Sequence, residues 1–225
     1  MTADFFWAPR PRPTRGPKPA LTLEQIADAA VAIADAEGLA AVSMQRVAAD
    51  LGYTKMSLYR YLSSKTELVA AMMERALGGS PQISARADWR DALTQWATAL
   101  LAAYESHVWS LEATTGRRPV GPHEIAWLEC ALRVLPPGLT GAERLDAVAT
   151  LAGHVRMIAG QHGGAESDLA DAMSAILRDH AASYPAVVAA LSEVADEGGA
   201  DNAFAFGLAR ILDGLESLLE RRVSR

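Results

Sequence analysis

Ser43-Met44-Gln45-Arg46-Val47-Ala48-Ala49-Asp50-Leu51-Gly52-Tyr53-Thr54-Lys55-Met56-Ser57-Leu58-Tyr59-Arg60-Tyr61-Leu62 is the stretch on which the fold turns. Ser43 can cap a helix whose apolar face is Met44, Val47, Ala48 and Leu51, and Gly52 stops that helix early. Thr54 caps a further short helix, predicted to run through Leu58 to Leu62. Ala48 has to be small where the two helices cross closely, and Gly52 supplies the backbone freedom for the sharp turn. Leu58 and Leu62 would anchor the second helix to a core. The spacing is the one a helix-turn-helix requires.

Neither short helix can bury a core by itself, so flanking helices have to complete one. Upstream, Thr22 and Gln25 stand at the two positions of a capping box. Leu23, Ile26, Ala27, Ala30, Val31, Ile33 and Ala34 then recur at helical spacing until Gly38. Downstream, Ser63 or Ser64 caps a helix that begins at Lys65. The result is a compact helical head over residues 20–70.

Lys55, Met56, Ser57, Tyr59, Arg60 and Tyr61 are left to divide between a DNA groove and the packing surface. They offer positive charge, hydroxyls and aromatic rings, and no acidic residue lies between Thr54 and Thr66. Lys55 and Ser57, near a helix N-terminus, suit base edges or a phosphate. Tyr59 and Lys65 suit the sugar-phosphate backbone, which sets register rather than sequence. Ser43, Gln45 and Arg46, opening the preceding helix, suit a flanking phosphate, with Thr54 at the turn. These residues are the candidate nucleic-acid contacts.

Net charge is −6, which by itself argues against a nucleic-acid partner, but its distribution does not. Up to Ala70, eight basic residues face seven acidic ones; beyond it, thirteen face twenty. Residues 1–19 form a basic, proline-rich arm carrying Arg10, Arg12, Arg15 and Lys18. Proline at that density forbids helix, leaving a disordered tail or an arm that reaches a phosphate or a minor groove. The single cysteine, Cys130, excludes an internal disulfide and fits a reducing cytoplasm. The N-terminus lacks the pattern of a secretory signal, and no apolar run is long enough for a membrane helix.

From Trp89 onward the pattern is again helical, with Trp89, Leu93, Trp96, Leu100 and Tyr104 every three or four residues and a break from Gly116 to Pro122. Further helices are predicted over Pro122–Leu135, Gly141–Gln161 and from Asp201 or Asn202 to Arg222. No alternating strand pattern is present. The class is all-α: a three-helix DNA-binding head, then a larger helical domain over residues 71–225. Phe204, Leu208, Ile211, Leu212, Leu215, Leu218 and Leu219 make an apolar stripe wider than one domain face needs, which points to a dimer.

The run from Ser43 to Leu62, continued by Ser63-Ser64-Lys65-Thr66-Glu67-Leu68, resembles the tetracycline-repressor family. Arg118-Pro119, Ala126-Trp127-Leu128-Glu129, Gly153-His154, Phe204-Ala205-Phe206-Gly207-Leu208 and Asp213-Gly214-Leu215-Glu216 are similar to the C-terminal domain of the family's tetracycline-binding member. The resemblance implies an Ω-shaped homodimer whose long helices, here Gly141–Gln161 and Asn202–Arg222, form a four-helix bundle with their mates. It also implies a small-molecule effector held by the middle helices, and release from double-stranded operator DNA on binding. Trp96, Tyr104, Trp109, Trp127, Met157 and Gln161 are the candidate effector-lining residues.

Thr114 and His162 stand where the tetracycline-binding member uses a histidine and a glutamate near its magnesium–drug complex. Trp96 replaces an asparagine that binds the drug. Threonine and imidazole are poor matches for magnesium, so a different, more apolar effector is expected. His107, His154 and His162 lack tight ligand spacing and read as satisfied or solvent-facing. The stretch Gly160–Gly164 reads as a helix end rather than a phosphate loop. No cofactor, metal or catalytic constellation is expected, and the chain reads as a cytoplasmic ligand-responsive repressor rather than an enzyme. Two other readings stay open: a small-molecule-binding all-α protein and a ligand-independent structural DNA binder.

Overall fold

A computed structural model describes residues 4–7, 21–84, 87–161, 165–196 and 202–224. Of the basic arm over residues 1–19 only residues 4–7 are described, as a helical turn; the rest of it, His162 and Asp201 lie outside the described residues. Among the described residues every regular element is helical.

After a short turn α1 (Asp4–Trp7), helix α2 (Leu23–Glu37) opens with the capping box: Thr22 Oγ1 accepts from the Gln25 N–H, and Gln25 Oε1 accepts from the Thr22 N–H. Helix α3 (Met44–Asp50) is capped by Ser43, α4 (Lys55–Leu58) by Thr54, and α5 (Lys65–Leu77) by Ser64. Gly52 has φ of 73°, the left-handed conformation that the turn between α3 and α4 needs and that side chains resist. Val47, Leu58, Leu62 and Leu68 are almost wholly buried in one core with Ile26 and Ala30. About 25 cal/mol per Å² of buried apolar surface is what holds such short helices in place.

The second short helix ends sooner than its spacing predicts. The Tyr59 N–H reaches Lys55 O at 3.4 Å, and the chain then tightens into a turn in which Tyr61 N–H bonds Leu58 O at 2.9 Å. Leu62 still enters the core because its N–H bonds Leu58 O at 3.0 Å.

Beyond the head lie α6 (Trp89–Ser106), α7 (Trp109–Thr114), α8 (Pro122–Val134), α9 (Gly141–Gln161), α10 (Ala165–His180), α11 (Pro185–Asp196) and α12 (Ala203–Val223). The chain breaks at His107 and Val108, between α6 and α7, where the sequence offers no glycine or proline. The helices α10 and α11 fall in a stretch for which the sequence reading names no element. None of their described residues is buried.

Two compact units emerge, Met1–Val148 and Ala149–Arg225. In the first, α7 packs on the head, and Trp109 and Ala113 belong to the same core as α2 to α5. A head of about fifty residues buries only a modest core, to which α7 adds Trp109 and Ala113. In the second, the His154 ring stacks on Phe204, with centroids 5.9 Å apart, and its Nε2 lies 3.0 Å from Phe204 O. A Cβ at Gly207 would run into that ring, so glycine is required by space.

Candidate nucleic-acid interface and sensing helices

The caps described above set the exposed residues of α3 and α4 in place. Ser43 Oγ accepts from the Arg46 N–H, and Thr54 Oγ1 accepts from the Ser57 N–H. Each hydroxyl thereby satisfies a helix-end N–H that would otherwise lack a partner. Leu58 and Leu62 point inward, so Lys55, Met56, Tyr59 and Arg60 are turned to solvent. Met56 is 72 % exposed. The Lys55 ammonium sits 5.6 Å from the centre of the Tyr59 ring, a cation–π contact that orders both side chains. Lys65, at the start of α5, is also exposed.

Four candidate contacts are differently engaged. Tyr61 is half-buried and its hydroxyl donates to Leu21 O at 2.8 Å, so it ties α2 to the turn after α4. Arg46 makes a two-pronged pair with Glu37, at 2.7 and 3.2 Å, which raises its pKa further. The Ser57 and Thr54 hydroxyls lie 3.0 Å apart and share one hydrogen bond. Gln45 and Ser43 are exposed.

Of the candidate effector-lining residues, the structure brings Trp96 and Trp127 together, edge to face, with centroids 6.1 Å apart. The Trp96 Nε1–H donates to Trp127 O at 3.0 Å, and the Trp127 Nε1–H to Gly78 O at 3.3 Å. Tyr104 is buried two turns further along α6. Trp109 goes elsewhere. It is part of the head core and lines a cavity of about 490 Å³ with Asp35, Leu39, Glu105 and Val108. Met157 and Gln161 belong to the second compact unit, where Met157 is 55 % exposed and Gln161 half-buried. The Thr114 hydroxyl donates to Leu111 O at 2.7 Å, an ordinary helix-end bond.

Two joints tie α8 to the elements before it. Glu74 on α5, buried, accepts the N–H groups of His123 and Glu124 at the start of α8. Arg118 pairs with Glu124 through Nη1 and Nη2, at 2.5 and 2.7 Å, and its Nε–H donates to Ala113 O. Glu74 and His123 are 49 residues apart, beyond the reach of local patterning.

The sequence profile of bacterial regulatory proteins of the tetR family matches residues 20–72, and that of the tetracyclin repressor-like C-terminal domain matches residues 81–219. The HTH-type transcriptional repressor DrrR1 of Streptomyces coeruleorubidus is 41 % identical over 98 % of this chain and 87 % of its own length. Among solved structures, ActR of Streptomyces coelicolor in complex with (S)-DNPA has a TM-score of 0.74 at 25 % identity, covering 89 % of this chain and all of that one. The transcriptional regulator SCO7222, also from Streptomyces coelicolor, has a TM-score of 0.71 at 26 % identity, covering 88 % of this chain and 99 % of its own.

Proposed function

The chain belongs to the tetracycline-repressor family of DNA-binding transcriptional regulators, and on that premise we propose that it is a dimeric repressor released from a palindromic operator by a small molecule. The observation that carries the DNA side is the outward face of α4: Lys55, Met56, Tyr59 and Arg60 lie exposed over a helix pinned by buried Leu58. In this reading Lys55 and Ser57 meet base edges, while Tyr59 and Lys65 hold the sugar-phosphate backbone. Ser43, Gln45 and Arg46 flank them at a neighbouring phosphate. The head is residues 20–70, the sensing and dimerisation part is residues 71–225, and the basic arm precedes both.

The paired indoles of Trp96 and Trp127, with Tyr104 along the same helix, support an apolar effector site in the middle helices. The complex of ActR with (S)-DNPA supports a small-molecule effector. Thr114 spends its hydroxyl on the backbone and Trp96 its indole N–H on Trp127 O, which argues against magnesium-tetracycline. Dimerisation is supported by α12, where Phe204, Ile211, Leu215, Leu218 and Leu219 stay half-exposed in the protomer. No helix among the described residues is long and apolar enough to cross a membrane, and a cytoplasmic location fits a DNA-bound role.

The test is fluorescence anisotropy with the duplex from upstream of the chain's own gene, titrated with salt. The expected result is preference over a scrambled duplex at low salt, with log affinity falling by about 0.9 per log salt for each phosphate contact. The protected site should be palindromic, with half-sites about 34 Å apart or a multiple of that. Equal affinity for both duplexes would overturn the repressor reading and favour a structural DNA binder.

A further inference from the structure

One carboxylate oxygen joins the DNA-binding head to the end of the first sensing helix. Asp35 lies in the last turn of α2, and its Oδ1 accepts the Trp109 Nε1–H at 2.7 Å. The same oxygen lies 2.8 Å from His107 Nδ1. His107 is the residue at which α6 stops, its N–H bonded to Tyr104 O at 3.2 Å, and Trp109 is the first residue of α7. Both rings of the α6–α7 junction therefore converge on one atom of the head.

The contact is partly shielded from water. Trp109 is 6 % exposed and its ring sits in the head core, while the carboxylate itself is only about one-third exposed. Hydrogen bonds to an ionised acceptor are stronger than neutral ones, and two donors on one oxygen fix direction as well as distance. Tyr104 and Trp96 lie one and three turns upstream of His107 on the same helix. At 1.5 Å per residue, a helix carries a displacement at Trp96 to His107 across about 16 Å without a joint between them. The first joint is the one that Asp35 holds.

We propose that Asp35 is the positioning residue that keeps the end of α6 in register with the DNA-binding head, through His107 and Trp109. A shift of α6 then has to move α2, and occupancy of the head by DNA has to be felt at the α6–α7 junction. Coupling free energies are reciprocal, so DNA alone can report the link without any effector. This inference rests on the DNA-binding reading above.

The test is amide hydrogen exchange on the full-length dimer, with and without the duplex from upstream of the chain's own gene. In the wild type, DNA should slow exchange in residues 104–114 at least threefold. Asp35→Ala should abolish that slowing while exchange in the middle of α5 stays unchanged, which certifies the folded head. Asp35→Asn keeps an acceptor oxygen and should retain most of the effect. Trp109→Phe keeps the ring in the core but removes one donor, and should lose about half of it. DNA binding by the wild type with no change at 104–114, or an Asp35→Ala protein that responds like the wild type, would overturn the proposal and leave the repressor reading standing. Absence of DNA binding by the wild type would overturn both.

Discussion

The carboxylate of Glu74, in the last turns of α5, accepts the backbone N–H of His123 at 2.9 Å and so caps the first turn of α8. Gly121 stands at the N-cap position of α8 and has no side chain to do this itself. A Cβ at Gly121 would collide with the Glu74 carboxyl group, so a side chain there would have to displace it. Glu74 also receives the His123 Nδ1–H on its backbone oxygen, at 2.7 Å.

Removing this cap leaves part-buried N–H groups without their protein partner. Glu74→Ala should therefore destabilise the protein by about 1–3 kcal/mol. Gly121→Ala, which displaces the same carboxylate, should cost a similar amount of about 1–3 kcal/mol. Urea unfolding curves measure both. The double variant should lose less than the sum of the two, because both remove one interaction.

The two tyrosines flanking Arg60 should separate stability from DNA affinity. Tyr61→Phe removes the hydroxyl bonded to Leu21 O and should lower stability by about 0.5–1.5 kcal/mol, with operator affinity unchanged. Tyr59→Phe should leave the melting temperature alone and weaken specific and non-specific duplexes alike, as Lys65→Ala should. Lys55→Ala should instead change sequence preference. Matched melting and anisotropy measurements decide, and equal loss of preference in all of these variants would refute the assigned roles.

Arg46 is held by Glu37 in the free protein, a pair that competes with any phosphate. Glu37→Gln should release the guanidinium, tighten DNA binding at low salt and steepen the log–log salt slope by up to about 0.9. Arg46→Ala should remove that gain when placed in the Glu37→Gln background.

Burial pushes the Cys130 thiol up from its ordinary value, an effect that nearby Arg133 only partly offsets. The Sγ–H also donates to Pro81 O at 3.6 Å. The thiolate fraction near pH 8 is thus smaller than for an exposed cysteine, since a raised pKa keeps the neutral form to higher pH. Alkylation by iodoacetamide should be slower than for a model thiol at pH 8 and should go on rising above the usual thiol range. A rate at pH 8 equal to that of the model thiol would contradict this.

The elements of the head were legible because their causes are local. Thr22, Ser43, Thr54 and Ser64 each satisfy an N–H three residues on, and Gly52 adopts its left-handed φ within its own peptide. The apolar spacing of Leu58 and Leu62 likewise names their inward face. The α6–α7 break at His107 was not legible, since no breaker residue marks it and the tie to Asp35 comes from 72 residues away.

The sequence by itself determined an all-helical chain with a helix-turn-helix between Ser43 and Leu62, because caps, turns and periodicity act over a few residues. Only the tertiary structure decided which way each side chain is spent. Tyr61 turns to Leu21, Arg46 to Glu37, Trp109 into the head core and Glu74 onto α8. Those choices depend on which surfaces meet when the helices pack, and burial, not spacing along the chain, selects the partner for each polar group.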